Sequence, residues 1–205
     1  MRIIDVGLRE YDEVHELQKR LHSEVVSNPH NSYLILCEHT TVIKIGRFGD
    51  RKNIVDERVK VRRIERGGDV TLHNPGQLVG YLIRRVNSIK EFVFGIEELL
   101  LNVLRRFEIS AFRKNGFIGI WTSRGKIASI GVAVRKAVSF HGFALNVCND
   151  LNEFSMLNPC GIKGCVMTSV SHELGRNVPI SAVKEYLKEI AASNANYAIY
   201  PPASH

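Results

Sequence analysis

The chain has 205 residues, of which 44% are hydrophobic and 24% charged, with 16 glycines and 6 prolines. This is the composition of an ordinary globular protein; it excludes collagen-like, coiled-coil and disordered classes, and one domain over residues 1–205 is expected to bury roughly 70% of the unfolded chain's surface. The formal charge of +7 points to a basic surface and an acidic partner, either nucleic acid or protein. The lysines and arginines are scattered, with the densest group at Arg62, Arg63 and Arg66, which is equally the pattern of a solvated surface.

No apolar run approaches the roughly 18 residues of a bilayer-spanning helix, and the first twenty residues lack the apolar stretch of a signal peptide. A cytoplasmic protein is expected. The cysteines, Cys37, Cys148, Cys160 and Cys165, are unevenly spaced in a chain long enough to hold itself together by burial, so a disulfide framework is not indicated.

Taken in chain order, Tyr11, Val14, Leu17, Leu21 and Val25 fall three or four residues apart and predict an amphipathic helix over 11–26. Tyr33–Cys37 and Thr41–Ile45 read as short buried strands, followed by a loop over 46–50 and a further strand over Val59–Ile64. Leu78–Ile83 is a strand, after which the period changes to that of a long helix marked by Phe92, Ile96, Leu99, Leu100, Val103, Leu104 and Phe107. Phe117–Trp121, Ile127–Val134 and Val138–Val147 are strands in quick succession, and the gap over 135–137 permits a hairpin. Such short connections imply a mixed or antiparallel sheet. A last helix is predicted from an N-cap at Ser181, with Val183, Leu187, Ile190 and Ala191 on one face. Between 149 and 177 there is little periodicity, and long irregular stretches in compact domains often carry function.

Several signatures fail. Around Gly125 and Lys126 a phosphate-binding loop lacks its first glycine and its hydroxyl residue, and four residues after His172, where a zinc-protease helix needs its second ligand, stands Arg176. Cys160 and Cys165 have no second pair at zinc-finger spacing. What remains is the glycine-rich stretch 66–77 (RGGDVTLHNPGQ), which fits either a ligand cradle, since glycine lets backbone approach a ligand, or a plain strand connection. Cys160 lies between Pro159 and Gly161, in the irregular stretch, where a thiol is reachable.

Four blocks then stand in one order: RGGDVTLHNPGQLVGY (66–81), KIASIG (126–131), HGFALN (141–146) and FSMLNPCGI (154–162). Together they closely resemble the lipoyl(octanoyl) transferase family, and the likeness runs from Leu34 through Ile190. The family moves an octanoyl group from acyl carrier protein to a lysine of lipoyl domains. Carried over by position, its acyl-thioester nucleophile falls on Cys160 and its pKa-lowering lysine on Lys126. An ammonium against a thiol that ordinarily titrates near 8.5 favours the reactive thiolate. The resemblance alone brings Lys126 and Cys160 together; without it Lys126 reads as a solvated lysine at a strand start.

The family's binding segments correspond to Arg66, Gly67, Gly68, Asp69, Val70, Thr71, Leu72 and His73, to Ser129, Ile130 and Gly131, and to Gly142, Phe143 and Ala144. Small residues at Gly131, Gly142 and Ala144 suit strands that wall a narrow alkyl tunnel, and equally suit close packing of sheet on helix. His73 and His141 fit either an orienting or a structural role. Leu72 and Asn74 stand where the family usually has Tyr and Gly, which places chain-length preference rather than chemistry under Leu72. The resemblance further implies an α/β (α+β) fold, a mixed β-sheet flanked by helices as in biotin and lipoate protein ligases, and a monomer. It implies no cofactor, neither ATP nor metal. The implied partners are octanoyl-acyl carrier protein as donor, and as acceptors lipoyl domains of 2-oxoacid dehydrogenase E2 subunits and the glycine cleavage H protein, with no nucleic acid and no membrane. Two other readings stay open: an ATP-dependent lipoate or biotin ligase, which would not need Cys160, and a non-catalytic nucleic-acid module suggested by the charge.

Overall fold

A computed structural model describes residues 1–56 and 60–193. Its frame is a seven-stranded mixed sheet in the order β1-β2-β6-β10-β9-β8-β7, with a three-stranded sheet, β4-β3-β5, beside it. The strands are β1 (Arg2–Arg9), β2 (Tyr33–His39), β3 (Val42–Ile45), β4 (Val61–Arg63), β5 (Val70–His73), β6 (Gln77–Ile83), β7 (Phe112–Lys114), β8 (Phe117–Trp121), β9 (Lys126–Arg135) and β10 (Val138–Asn146). The helices are α1 (Tyr11–Ser27), α2 (Ile89–Arg106), α3 (Val170–Leu174) and α4 (Ile180–Ser193). Among the described residues no helix is long and apolar enough to cross a membrane.

The period of two in β2 assigns its neighbours to opposite faces of the large sheet. Leu34 and Leu36 point into a core shared with Phe92, Ile96, Leu100 and Val103 of α2 and Val183 and Leu187 of α4. Tyr33, Ile35 and Cys37 point the other way, onto Tyr11, Val14, Leu21 and Val25 of α1. Each such aliphatic side chain stabilises the fold by about 1.5–3 kcal/mol on full burial. Helix α2 is held at its start by Ser88, whose Oγ accepts from the Glu91 N–H at 3.3 Å, and carries Arg105 and Arg106 in its last turn, where the helix dipole favours cations.

The small sheet leans on the irregular stretch. Ile43, Ile45, Val70 and Leu72 pack against Phe154, Leu157 and Met167, so the other face of β3 and β5, carrying Lys44, Thr71 and His73, is turned to the large sheet.

Most predicted elements recur within a residue or two, and the differences have physical reasons. The strand expected over Val59–Ile64 is ordered as β4 over Val61–Arg63; Val59 lies outside the described residues. A third of the glycine-rich stretch is strand β5, paired antiparallel with β3. Ser181 does not cap α4, because Ala182 N–H already donates to Pro179 at 3.1 Å and the helix is under way by Ile180; the Ala191 side chain is outside the described set. Strand β1 gives no alternating signal because a bulge between Asp5 and Gly7 breaks its register with β2.

The hairpin between β9 and β10 turns on Lys136 and Ala137, with φ of 52° and 57°. A two-residue loop left-handed at both positions is the geometry that Asn-Gly adopts without strain. The double change Lys136→Asn, Ala137→Gly is expected to stabilise the protein by about 1 kcal/mol, read as a raised midpoint in urea unfolding.

Candidate active site

Lys126 Nζ lies 3.0 Å from Cys160 Sγ, across 34 residues of sequence. Backbone geometry fixes the lysine. Its N–H donates to Val166 at 2.9 Å and its carbonyl accepts from Thr168 at 3.0 Å, so residues 166–168 lie alongside the start of β9 and lead the Cys160 loop back to it. The lysine stem passes over Gly119 of β8, where a β-carbon would come within 2.9 Å of Cε, and Nζ stands 5.4 Å from the centre of the Trp121 ring.

Cys160 occupies a tight turn over Pro159–Gly161, with φ 58° and ψ 22°. A side chain in this left-handed region costs roughly 1–2 kcal/mol. The turn is clamped on both sides: Asn158 N–H donates to Asn53 at 2.7 Å and Ile162 N–H to Pro159 at 3.1 Å. Gly161 abuts the Asp69 carboxylate so closely that a β-carbon would collide with it. That carboxylate accepts from Val70 N–H at 2.7 Å and Asn53 Nδ2 at 2.9 Å. The remaining cysteines sit in contrasting surroundings. Burial pushes Cys37 up to about 12 and also raises the thiols of Cys148 and Cys165.

The pair opens into a cavity of about 630 Å³ between the inner face of the small sheet and strands β6, β9 and β10. Arg66, Gly67, Gly68, Asp69, Val70, Thr71, His73, Ser129, Ile130, Gly131, His141, Gly142, Phe143 and Ala144 all line it, with Lys126 and Cys160. Leu72 does not. As the alternate residue of β5 it is fully buried on the far face, against the irregular stretch, so its replacement of the family's Tyr alters packing there and not the cavity wall. Asn74, the other departure, is also structural: its Nδ2 donates to the Asp150 carbonyl at 2.9 Å and its Oδ1 accepts from Asn149 at 3.0 Å.

Arg66 pins the loop it belongs to. Its guanidinium donates to the carbonyls of Gly67 at 2.9 Å, Asp69 at 2.7 Å and Lys44 at 3.3 Å, while Nε has no hydrogen-bond partner among the described residues. The glycine-rich stretch is thereby both a strand connection and a cavity wall. The two readings of the small residues separate in the same way. A β-carbon on Gly131 would meet Arg66 Cδ at 2.9 Å and the Gly67 carbonyl at 3.3 Å, whereas one on Gly142 would collide with the backbone carbonyl of Gly80 at 2.2 Å.

His73 donates from Nδ1 to Gln77 Oε1, which leaves Nε2 an acceptor with no partner among the described residues. His141 N–H donates to Gln18 at 3.0 Å, and its ring Nε2 lies 3.7 Å from Glu65 Oε1, which also meets His15 Nε2 at 3.3 Å. Contacts with these two rings hold the Glu65 carboxyl below its usual range. Among the described residues neither His73 nor His141 hydrogen-bonds Cys160 or Lys126, so both act as cavity wall. His15, Glu65 and His141 bring donor atoms within 4.8 Å of one another. Lys44, Phe48, Tyr81, Phe117, Ile118 and Ile162 also line the cavity without a signal strong enough to single them out in sequence, Lys44 excepted: it interrupts an otherwise apolar strand, VIKI.

A reachable thiol held against a buried amine, at the mouth of a largely apolar cavity on a mixed sheet, defines an acyl-transferring enzyme of the α/β class. The chain belongs to the lipoyl protein ligase A/B catalytic domain family, whose model matches residues 10–192. It is 50% identical to an octanoyltransferase of Geotalea uraniireducens, over 90% of this chain and 88% of that protein. It is 46% identical to an octanoyltransferase of Geobacter metallireducens, with the same coverage of 90% and 88%. Among solved structures, lipoate-protein ligase A bound with ATP superposes with a TM-score of 0.72 at 18% identity, covering 94% of this chain and 84% of that one. A lipoate protein ligase from T. acidophilum with bound lipoic acid gives 0.70 at 18% identity, covering 94% and 84%. The structural likenesses bear out the fold; the sequence relatives bear out the family and octanoyl transfer in protein lipoylation, an acyltransferase activity.

Two outcomes follow from the site's packing and charge. Gly142→Ala should destabilise the protein by about 2 kcal/mol and Gly131→Ala by clearly less, as measured by thermal melting, because only the first collides with backbone. The second outcome concerns pH. Burial holds His39 and His141 down to about 4 and His73 well below 6.5, so the folded protein keeps these rings neutral while the unfolded chain protonates them below about 6.5. Their contribution is complete above pH 6.5 and is lost as pH falls towards 4, on the order of a few kcal/mol in all. Urea midpoints between pH 7 and pH 4.5 should fall along that limb, and less steeply in His39→Asn.

Proposed function

We propose that this chain takes an octanoyl group from octanoyl-acyl carrier protein onto Cys160 and passes it to a lysine of a lipoyl domain. The observation that carries this reading is the 3.0 Å contact between Lys126 Nζ and Cys160 Sγ at the mouth of the cavity. An ammonium in contact with sulfur stabilises negative charge on it. The sulfur attacks the carbonyl carbon of the donor thioester; the new carbon–sulfur bond forms as the carrier's breaks, and the carrier leaves as a thiol with the proton that Cys160 gave up. One thioester replaces another, so the step is close to isoenergetic and needs neither ATP nor a metal ion.

In the second half the acceptor's lysine nitrogen attacks the Cys160 thioester. A carbon–nitrogen bond forms, the carbon–sulfur bond breaks, and the amine's proton returns to the Lys126–Cys160 pair. The apolar walls, among them Val93, Ile130 and Phe143, hold the alkyl chain. Acceptors of this chemistry are the lipoyl domains of 2-oxoacid dehydrogenase E2 subunits and the glycine cleavage H protein.

Intact-mass analysis after mixing with octanoyl-acyl carrier protein, without ATP, should show one octanoyl adduct on the wild type and none on Cys160→Ala. Lys126→Ala should acylate at least about a hundredfold more slowly at neutral pH. A strict requirement for ATP with free octanoate as donor would transfer the chain to the ligase class instead.

A further inference from the structure

Lys44 is one of the most enclosed lysines of the chain, 2% exposed, and it takes no part in the chemistry above. It lies on β3 between Ile43 and Ile45, whose side chains point away into the packing against the irregular stretch, so the pleat turns Lys44 into the cavity. Its amine nitrogen is held over the Tyr11 ring at 4.7 Å and the Tyr81 ring at 5.7 Å. The Tyr81 ring is itself fixed, its hydroxyl donating to His39 Nε2 at 2.8 Å. A lysine anchored at its tip presents four methylenes as a fixed apolar wall.

The exposure of the lining residues shows which end of the cavity is closed. At the mouth Phe48 is 77% and Ile118 59% exposed, whereas Lys44, His73, Tyr81 and His141 are at most 3% exposed. Strand β5 runs along that gradient. Asp69, just before it, abuts the Cys160 turn; Thr71, which pairs with Lys44, lies roughly 7 Å further in and His73 roughly 13 Å, at about 3.3 Å per residue. A medium acyl chain anchored on Cys160 therefore reaches the level of Lys44 before it reaches His73.

We propose that the Lys44 side chain closes the inner end of the acyl cavity and thereby sets the length of acyl chain the enzyme accepts. The inference rests on the acyl-enzyme reading of Cys160. It makes Lys44 a specificity-determining residue: a longer chain would have to displace its stem from between the tyrosine rings, and a shorter side chain would leave that space to the substrate.

The test uses the full chain with octanoyl- and dodecanoyl-pantetheine, following the rate of Cys160 acylation by intact mass. Lys44→Ala should raise the dodecanoyl-to-octanoyl rate ratio at least tenfold, and Lys44→Met, similar in length, should bring it back towards the wild-type ratio. Lys44→Thr, a strand-favouring residue, should show the same shift as alanine and serves if the alanine variant does not fold. A ratio in Lys44→Ala or Lys44→Thr equal to that of the wild type, with acylation by octanoyl intact, would overturn the inference. Failure of the underlying reading looks different: the wild type would then form no adduct on Cys160 with either donor.

Discussion

Everything the site does depends on holding a loop cysteine against a strand lysine. Neither the turn at Pro159–Gly161 nor strand β9 could do this separately. The loop is tied at its start to Asn53 and at its end to both backbone groups of Lys126, and between these points Gly161 rests on the Asp69 carboxylate. Asp69 in turn belongs to the loop that Arg66 grips through three carbonyls. One buried arginine thus connects the wall of the cavity to the position of Cys160, and removing it would loosen both.

The electrostatics of the cavity divide along its length. Lys126, itself buried, lies against the part-exposed Cys160 sulfur. Deeper in, burial drives Lys44 well below the ordinary lysine range and keeps His73 and His141 neutral. An alkyl chain can be sheltered among such groups because neutral imidazoles cost far less to leave without water than charged ones. The same burial that makes the inner end compatible with a hydrocarbon makes it a liability in acid, where those groups are driven to take up protons.

Much of this was legible in the sequence. The periodicities of α1, α2 and β2 survive because each buries one clear stripe, and the motif blocks around Arg66, Lys126, His141 and Cys160 converge on one cavity. What was not legible came from tertiary constraint. Whether a residue of β5 faces the cavity or the irregular stretch depends on its register with β3, and this put Leu72 on the wrong side of the expectation. Gly131 and Gly142 are both glycines opposite one another on paired strands, yet only the structure shows that a β-carbon would come no closer than 2.9 Å to its neighbours at the first and within 2.2 Å of a backbone carbonyl at the second. Lys44 carried a signal in being polar within VIKI, but solvent exposure on an edge strand would have explained it as well until its burial was seen.

Cys160 is the point at which local preference and the fold disagree most. A cysteine in the left-handed region is strained where glycine would be at ease, and the chain does use glycine beside it, at Gly161 with φ 71°, where the Asp69 carboxylate also leaves no room for a β-carbon. The strain persists because hydrogen bonds on both sides over-determine the turn. It aims the sulfur at Lys126 Nζ, 3.0 Å away. Around Cys160 the irregular stretch has too little periodicity to form a regular helix or strand, and that same freedom lets it carry a cysteine on a corner that regular structure would have flattened.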